Sequence, residues 1–231
     1  MALPYFFVED VSAATIQLDE ATSKHVISVL RMEKGANLLL TDGKGTKAAA
    51  VIEDDNRKRC RVRITERDVA ERLQPKVTIA IGLVKNASRF EWFLEKATEI
   101  GVNVIVPLIT TRTEKEKFRS ERLQGIMQAA MIQSQQCWMP LLHEPISFPE
   151  VLKMDAEQRF IAHCLEDDKR SLPSLLKPGS ERLILIGPEG DFTSDEIESA
   201  LANGFLPVSL GATRLRTETA GMTAAVLLRN L

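Results

Sequence analysis

Two short apolar runs near the end of the chain, each stopped by a glycine-containing loop, constrain the fold most strongly. Residues 183–186 and 206–210 are mostly apolar, and the loops GPEGD (187–191) and GATRLRTETA (211–220) follow them. Short apolar runs that end at glycine are typical of buried parallel strands. Open α/β sheets bind ligands where neighbouring parallel strands end. The sequence therefore predicts a parallel α/β sheet with a binding site built from these loops.

Helix signals alternate with further strand signals. Additional strands are predicted by the apolar runs at residues 77–85, 102–108 and 159–164. Phe90, Phe93, Ala97 and Ile100 recur on one face of a helix that Gly101 ends. The remaining helices are predicted from a capping box of Thr193 and Glu196 closed by Gly204, and over residues 120–136 and 219–230. At least five strands alternating with helices indicate an α/β fold with a parallel sheet.

The front of the chain has a different pattern, with short strands and turns over residues 1–72. The sequence DGKG (42–45) between two apolar runs predicts a hairpin, and residues 60–65 predict another strand. One helix is expected at residues 21–31. A small β-barrel is the natural class for such a segment. Pro75 lies in the expected linker, residues 69–76.

Composition excludes some classes of protein. Of the 231 residues, 44% are apolar and 27% are charged, which is ordinary for a globular protein. No apolar run is long enough to span a membrane, and the start of the chain lacks the pattern of a signal peptide. The cysteines, Cys60, Cys137 and Cys164, are odd in number and lack metal spacing. We therefore expect reduced thiols, a cytoplasmic location and no metal site.

The pair GPEG (187–190) and LGATRLRTETA (210–220) resembles the RsmE family of SPOUT methyltransferases. The resemblance covers nearly the whole chain, including HVISVLRM (25–32) and DGKG in the front half. Members of that family methylate N3 of a uridine in 16S ribosomal RNA with S-adenosylmethionine. The resemblance implies a PUA-like RNA-binding barrel over residues 1–72 and a SPOUT methyltransferase domain over residues 73–231. It also implies a C-terminal trefoil knot, whereas pattern rules alone predict an open Rossmann-like sheet, because chains rarely thread through loops.

The cofactor site is expected in three loops, each of which taken alone resembles an ordinary strand-to-helix turn. Glycine lets the backbone of such a loop approach a ligand closely. The resemblance assigns to S-adenosylmethionine residues of these loops and of the last helix: His163, Leu165, Glu166, Ile186, Gly187, Glu189, Gly190, Leu210, Gly211, Leu215, Thr219 and Ala220. The chain has neither a GxGxxG fingerprint nor a Walker motif, which argues against NAD and ATP.

Catalytic candidates lie in the last loop. Methylation of uridine N3 requires loss of a proton and stabilisation of charge on the uracil oxygens. Arg216 is expected to orient the target or stabilise that charge. Glu218 either accepts the proton or holds Arg216, and the second role is favoured because carboxylates are stabilised near helix starts anyway. No thiol is expected to act as a nucleophile, since His163 and Cys164 are adjacent on a strand and point to opposite faces.

RNA contacts are expected from both halves of the chain. The basic residues near residue 60 fit a solvated hairpin edge as well as they fit RNA contact. The resemblance favours RNA contact, and the expected RNA-binding residues are His25, Arg31, Arg59, Arg61, Arg63 and Arg214. A net charge of −2 argues against nonspecific coating of nucleic acid. The expected substrate is 16S ribosomal RNA in the assembled small subunit.

Three positions depart from the family pattern. Asp191 stands where a second glycine is usual, and Ile132 and Gln136 stand where an acidic residue and an arginine are common. These departures concern substrate contact more than the cofactor. The alternatives that stay open are a SPOUT enzyme acting on a different rRNA or tRNA site, a non-catalytic RNA-binding protein, and a Rossmann-type nucleotide enzyme. The cofactor loops argue against the second, and the missing phosphate fingerprint argues against the third.

A homodimer is expected from the terminal helix. The middle of this helix is apolar nearly all round, so it has no solvent face there. One face packs on its own sheet and the other needs a second partner, most simply a second copy. The small residues Ala220, Gly221, Ala224 and Ala225 are expected to allow close approach between helices. The resemblance agrees, since SPOUT enzymes pair through this region.

Overall fold

The computed structural model describes residues 3–114, 118–165 and 169–231. These residues divide into two compact units. The first unit contains the chain up to Arg72 together with Met131–Met139, and the second contains Leu73–Ala130 and Pro140–Leu231.

The first unit is built around one five-stranded sheet with the order β1-β3-β4-β5-β2. Its strands are β1 (Tyr5–Phe7), β2 (Thr15–Gln17), β3 (Asn37–Thr41), β4 (Thr46–Asp54) and β5 (Arg61–Val69). All pairs are antiparallel except β1 with β3. The DGKG turn joins β3 to β4, so the predicted hairpin is confirmed. The sheet is consistent with the expected small barrel.

The core of the first unit consists of alternate residues of these strands, including Leu38, Leu40 and Val62. The helix expected at residues 21–31 is shorter than predicted. The structure has helix α1 (Glu20–Lys24), followed by a single π-helical turn, His25–Val29. Arg31 then takes the left-handed conformation with φ 54°, which ends the helical path.

The strands of the second unit form one parallel sheet with the order β11-β13-β10-β12-β6-β7-β8, and β9 also pairs with β7. The longer strands are β6 (Val77–Gly82), β7 (Val104–Ile109), β10 (Gln158–Ala162), β12 (Arg182–Ile186) and β13 (Leu206–Ser209). The short strands are β8 (Leu141–Leu142), β9 (Ile146–Ser147) and β11 (Arg170–Ser171). The predicted α/β parallel sheet is confirmed.

Four helices lie where the sequence predicts them: α2 (Ala87–Ile100), α3 (Ser120–Gln133), α5 (Ser194–Ala202) and α6 (Thr217–Asn230). A further short helix, α4 (Phe148–Val151), and a 3-10 turn at Leu172–Leu175 were not predicted. Gly101 caps α2 with φ 87°, and Thr193 and Glu196 form the predicted capping box of α5. Helix α3 ends before residue 136, and Gln135 takes the left-handed conformation with φ 56°.

The C-terminal helix α6 packs on the sheet of its own unit and on α2. Its small residues face inward: Gly221, Ala224 and Ala225 are buried. A Cβ atom on Gly221 would lie 2.7 Å from the side chains of both Ile81 and Phe93. The expectation that these small residues approach a helix of a partner is therefore wrong for Gly221, Ala224 and Ala225, which pack within their own chain, whereas Ala220 is half-buried. The trefoil knot stays a prediction.

Candidate functional site

Three loops leave the carboxyl ends of three neighbouring parallel strands. Strand β10 pairs with β12 on one side and with β13 on the other, and Ala162 is in register with both Ile186 and Val208. The strands therefore end at the same level, and the loops that follow them lie at one edge of the sheet. These are the three loops that the sequence predicts as a binding site.

The first cavity at this edge has a volume of about 320 Å³. Its wall comes from the ends of β10 and β13, the loops after them, and the start of α6. The lining residues are Ala162, His163, Cys164, Lys169, Val208, Ser209, Leu210, Gly211, Ala212, Thr213, Arg214, Leu215 and Ala220.

The second cavity has a volume of about 350 Å³ and lies against the loop after β12. Its lining residues are Ala162, Cys164, Ile186, Gly187, Pro188, Glu189, Asp191, Arg214, Leu215, Arg216, Thr217 and Ala220. The two cavities share Ala162, Cys164, Arg214, Leu215 and Ala220. Because they share these walls, they form one extended site of the size that small ligands occupy.

Glycines keep the backbone of this site close-packed. A Cβ atom on Gly187 would lie 3.1 Å from the Asp191 carboxylate, so the loop after β12 folds back tightly on itself. A Cβ atom on Gly82, at the end of β6, would lie 2.5 Å from the backbone nitrogen of Pro188. Gly82 was not among the predicted site residues. Glycine within a strand pattern is itself a signal of close backbone approach.

The thiol of Cys164 lines both cavities. Burial raises its pKa, and the neighbouring Asp191 carboxylate raises it further, while the charge of Arg214 acts in the opposite direction. A raised pKa keeps the thiol protonated and therefore a poor nucleophile. His163 is buried beside it, with 8% of its surface exposed, whereas Cys164 is exposed. The two side chains differ in burial as expected for adjacent residues at a strand end.

Two arginines face this site from the loop before α6. Arg214 lines both cavities, and Arg216 lines the second one and occupies the N-cap position of α6. Both side chains are exposed. Among residues 3–114, 118–165 and 169–231, neither guanidinium makes an ion pair within 4.0 Å. Both groups are therefore placed to bind an anionic or oxygen-rich ligand.

Glu218 lies in the first turn of α6 and is buried, with 8% of its surface exposed. Its Oε1 atom lies 3.7 Å from Nε of Arg89, in the first turn of α2. Its Oε2 atom is buried and accepts no hydrogen bond from the part of the chain that the structure describes. From the sequence, the favoured structural role of Glu218 was to hold Arg216. In the structure, the ion pair of Glu218 is with Arg89 instead.

Comparison with known proteins identifies the chain. A family model described as an RNA methyltransferase domain matches residues 71–229, and one described as an RNA methyltransferase PUA domain matches residues 18–65. The ribosomal RNA small subunit methyltransferase E of a Synechocystis strain is 33% identical, over 94% of this chain and 73% of that protein. The chain belongs to the ribosomal RNA small subunit methyltransferase E family.

Solved structures of similar proteins agree with this assignment. The crystal structure of a probable rRNA-methyltransferase from Porphyromonas gingivalis is 39% identical, with a TM-score of 0.93 and 98% of each chain covered. A ribosomal RNA small subunit methyltransferase E from Neisseria gonorrhoeae is 28% identical, with a TM-score of 0.86, 97% of this chain and 95% of that chain covered. That protein was crystallised bound to S-adenosyl methionine.

Several cofactor candidates of this methyltransferase line the cavities. They are His163, Ile186, Gly187, Glu189, Leu210, Gly211, Leu215 and Ala220. Leu165, Gly190 and Thr219 are not among the lining residues, and Glu166 lies outside the described residues. The Gly190 carbonyl instead accepts a hydrogen bond of 2.6 Å from Nη1 of Arg112, so this glycine anchors the loop after β12.

The RNA-binding candidates in the first unit of the methyltransferase are exposed. His25 lies in the π-helical turn, with its ring centroid 5.8 Å from that of Phe6. On β5, Arg61 and Arg63 are exposed on either side of the buried Val62. Each is paired with a carboxylate on β4: Arg61 with Asp54 at 3.5 Å and Arg63 with Glu53 at 2.9 Å. Arg59 lies in the turn before β5, where its backbone nitrogen donates to the Asn56 carbonyl.

The three positions that depart from the family pattern lie in different units of the chain. Asp191 lines the second cavity, whereas Ile132 and Gln136 are in the first unit and line neither cavity. Within the described ranges, no group of three or more His, Cys, Asp or Glu side chains is arranged to hold a metal ion. No helix in the same ranges is long and apolar enough to cross a membrane.

Proposed function

We propose that this protein transfers a methyl group from S-adenosylmethionine to N3 of a uridine in 16S ribosomal RNA. The observation that carries the proposal is the set of three loops at one edge of the parallel sheet, in a chain of the ribosomal RNA small subunit methyltransferase E family. A non-catalytic RNA-binding protein would not need such a cavity. A Rossmann-type nucleotide enzyme would need a phosphate fingerprint that the chain lacks.

The residues of the two cavities fit the cofactor. Their volumes of about 320 and 350 Å³ fall within the range for small-ligand sites. His163, Gly187 and Gly211 would bring polar backbone groups to the adenosine, while Leu215 and Ala220 would supply apolar contact. When bound, S-adenosylmethionine supplies a transferable methyl group on a positively charged sulfur. The expected contacts of Leu165, Glu166, Gly190 and Thr219 stay predictions.

Arg216 and Glu218 are the proposed catalytic candidates. Arg216 lines the second cavity with an exposed guanidinium, so it can donate hydrogen bonds to a uracil oxygen where negative charge develops. Glu218 is buried and lies beside Arg89, which supports a role in holding the first turn of α6 rather than in taking the N3 proton. The proton would then leave to water or to a group supplied by the RNA.

RNA would be held by both units of the chain. His25, Arg31, Arg59, Arg61 and Arg63 are exposed on the first unit, and Arg214 lies at the cavities. We propose that these side chains contact phosphates of the 16S RNA in the assembled small subunit, in the cytoplasm. Salt-sensitive binding is the expected signature of such contacts.

A homodimer is part of the same proposal. Helix α6 buries its small residues in its own chain, yet Val226 on its other side is 40% exposed. Trp92 on α2, the helix that packs against α6, is 39% exposed. Exposed apolar side chains on two adjoining helices support an interface with a second copy.

The activity is tested by incubating the purified protein with S-adenosylmethionine carrying a labelled methyl group. Small subunits from a strain lacking the corresponding enzyme, naked 16S RNA and bulk tRNA serve as separate substrates. Label on N3 of one uridine of the small-subunit RNA, located by mass spectrometry, is the expected result. Label at another rRNA position or in tRNA would instead establish the alternative, a methyltransferase acting on a different RNA site.

Cofactor binding is tested separately by calorimetry without RNA. Gly187→Val is expected to abolish binding while the protein stays folded, because the added side chain would meet the Asp191 carboxylate and backbone. Gly125→Val is the matched control, since a Cβ atom at this exposed helical position meets nothing within 4 Å. Equal affinity in both variants and the wild type would place the cofactor elsewhere.

A further inference from the structure

The loop after β12 ends in an unusual backbone conformation. Asp191 has φ 62°, in the left-handed region that favours glycine. Aspartate tolerates this conformation better than most residues, because its short polar side chain can make local hydrogen bonds. The chain therefore carries a carboxylate at a position where the backbone conformation favours glycine.

The carboxylate of Asp191 bridges two loops of the candidate site. Its Oδ1 atom accepts a hydrogen bond of 2.8 Å from the backbone nitrogen of Phe192, the next residue. Its Oδ2 atom accepts one of 2.7 Å from the backbone nitrogen of Cys164, in the loop after β10. Hydrogen bonds from amides to an ionised carboxylate are short and stronger than neutral ones. One side chain therefore links the loops after β10 and β12.

The loop after β10 is also held by Lys169. The ammonium group of Lys169 donates hydrogen bonds to the carbonyl oxygens of His163, at 2.9 Å, and of Leu165. Within residues 163–165, the Asp191 carboxylate therefore accepts from one backbone amide, and the Lys169 ammonium group donates to two backbone carbonyls. Cys164 lines both cavities, and Asp191 lines the second. The linked loops are therefore shared walls of the site.

We propose that Asp191 is a positioning residue that fixes the loop after β10 against the loop after β12, so that the cofactor site is formed before the cofactor binds. The inference rests on the proposed function, since it concerns the same site. A pre-formed site spends less binding free energy on ordering loops, and its loss lowers affinity without touching the reacting atoms. A glycine at this position would have no side chain with which to accept either hydrogen bond.

The first test compares affinities for S-adenosylmethionine and for its neutral product, S-adenosylhomocysteine, by calorimetry. Asp191→Gly keeps the left-handed backbone and removes both acceptors, and we expect both ligands to bind roughly tenfold more weakly or worse. Asp191→Asn also tolerates the conformation, but its single oxygen serves only one of the two amides, so it should weaken both ligands as well. Glu198→Gln, an exposed carboxylate on α5, is the control and should change neither affinity.

The outcome separates positioning from direct charge attraction. A carboxylate that merely attracted the positive sulfur would, when removed, lower affinity for S-adenosylmethionine alone, because the product carries no charge there. That result would overturn the proposal, as would unchanged affinity for both ligands in Asp191→Gly. In turnover assays, positioning predicts a raised KM for the cofactor with kcat at saturation within about twofold of the wild type.

The second readout reports the loop directly. The rate at which a thiol reagent modifies Cys164, followed by mass spectrometry of its peptide across a pH series and compared at full ionisation of the thiol, should rise in Asp191→Gly because the loop is released. The comparison is made at full ionisation because loss of the Asp191 carboxylate by itself lowers the pKa of this thiol. An unchanged rate would show that the bridge does not hold the loop. This measurement needs no cofactor, so it remains informative if the wild type fails to bind S-adenosylmethionine and the proposed function fails. If the wild type binds and Asp191→Gly binds equally well, only the present inference fails.

Discussion

The carboxylate of Glu218, at the start of α6, lies 3.7 Å from the guanidinium Nε of Arg89, at the start of α2. The two helices pack against each other along the sheet. The ion pair therefore ties the first turn of α6 to the first turn of a neighbouring helix. Glu218 is buried while the side chain of Arg89 is 36% exposed, so the pair lies at the boundary between core and solvent.

The first prediction concerns this pair. Glu218→Gln and Arg89→Ala should each destabilise the protein, and a double-mutant cycle should give a coupling of about 0.5–1 kcal/mol, as for other partly exposed pairs. Turnover of the folded Glu218→Gln enzyme should fall less than about tenfold, because general bases typically contribute more than that. Chemical denaturation measures the first quantity and single-turnover methylation the second. A loss of about a thousandfold with normal stability would instead identify Glu218 as the base.

The second prediction concerns Arg216. Its exposed guanidinium lines the second cavity, so Arg216→Ala should lower turnover by roughly a hundredfold or more, as the loss of one aimed donor does. Arg216→Lys keeps the charge but not the forked donor geometry and should recover only part of the rate. Affinity for S-adenosylmethionine, measured by calorimetry, should change little in either variant. Near-normal methylation by Arg216→Ala would show that Arg216 has no catalytic role and is only the N-cap residue of α6.

The third prediction concerns four exposed arginines of the first unit. Replacing Arg31, Arg59, Arg61 and Arg63 together by alanine should weaken binding to small subunits and make it less sensitive to salt. For every arginine that binds a phosphate in the wild type, the substitution should reduce the slope of log affinity against log salt by about 0.7–0.9. Cofactor affinity should be unchanged. Filter-binding titrations across a salt series give both the affinity for small subunits and its salt dependence.

The ion pairs between β4 and β5 supply the control for this experiment. Asp54 and Glu53 pair with Arg61 and Arg63, so Asp54→Asn with Glu53→Gln should release both arginines and strengthen RNA binding. If neither the alanine variant nor the amide variant alters RNA affinity, these side chains form only a solvated edge of the sheet.

Local chemistry explains what could be predicted from the sequence. The capping box of Thr193 and Glu196 depends on residues three apart, and the end of α2 depends on Gly101 alone. The parallel strands were predictable because buried strands are continuous apolar runs. The same rule placed the three loops at one edge of the sheet.

Long-range packing explains what could not be predicted. Residues 131–139 belong to the first unit, where a Cβ atom on Gly45 would lie 2.3 Å from the Trp138 ring. The side chains of Phe93 and Ile81 leave no room for a Cβ atom at residue 221, so glycine is needed there. Pro188 likewise leaves no room for a Cβ atom at residue 82. No local pattern connects residues so far apart in the chain. The bridge from Asp191 to Cys164 is of the same kind, since its donor and acceptor are 27 residues apart.

The fourth prediction concerns pH. Burial raises the pKa of the Cys60 thiol to about 11, and the charges of Asp54 and Asp55 act in the same direction. The unfolded thiol ionises at lower pH, so its thiolate favours unfolding, and stability should fall as pH rises from about 9 to 11, by about 2 kcal/mol from this group. Cys60→Ala should be less stable at neutral pH because buried volume is lost, but its stability should decline less over this window. Parallel slopes in both proteins would show that Cys60 does not contribute to alkaline unfolding.

The last prediction concerns the homodimer and corrects the surface through which it forms. Gly221, Ala224 and Ala225 are buried within the chain, so a charge at Ala224 would disrupt the core of the unit rather than an interface. The exposed apolar residues of the adjoining helices are Val226 on α6 and Trp92 on α2.

Val226→Arg should therefore convert a dimer to a monomer without unfolding it, because the substituted side chain is already 40% exposed in the single chain. Light scattering at micromolar concentration gives the mass, and circular dichroism verifies the fold. Leu201→Arg on α5, at a position that is 39% exposed, is the matched control and should leave the mass of the dimer unchanged. If the partner completes the active site, Val226→Arg should also lose methylation while Leu201→Arg keeps it. A wild-type protein that is monomeric and fully active at that concentration would contradict the dimer, and an active Val226→Arg monomer would show that each chain holds a complete site.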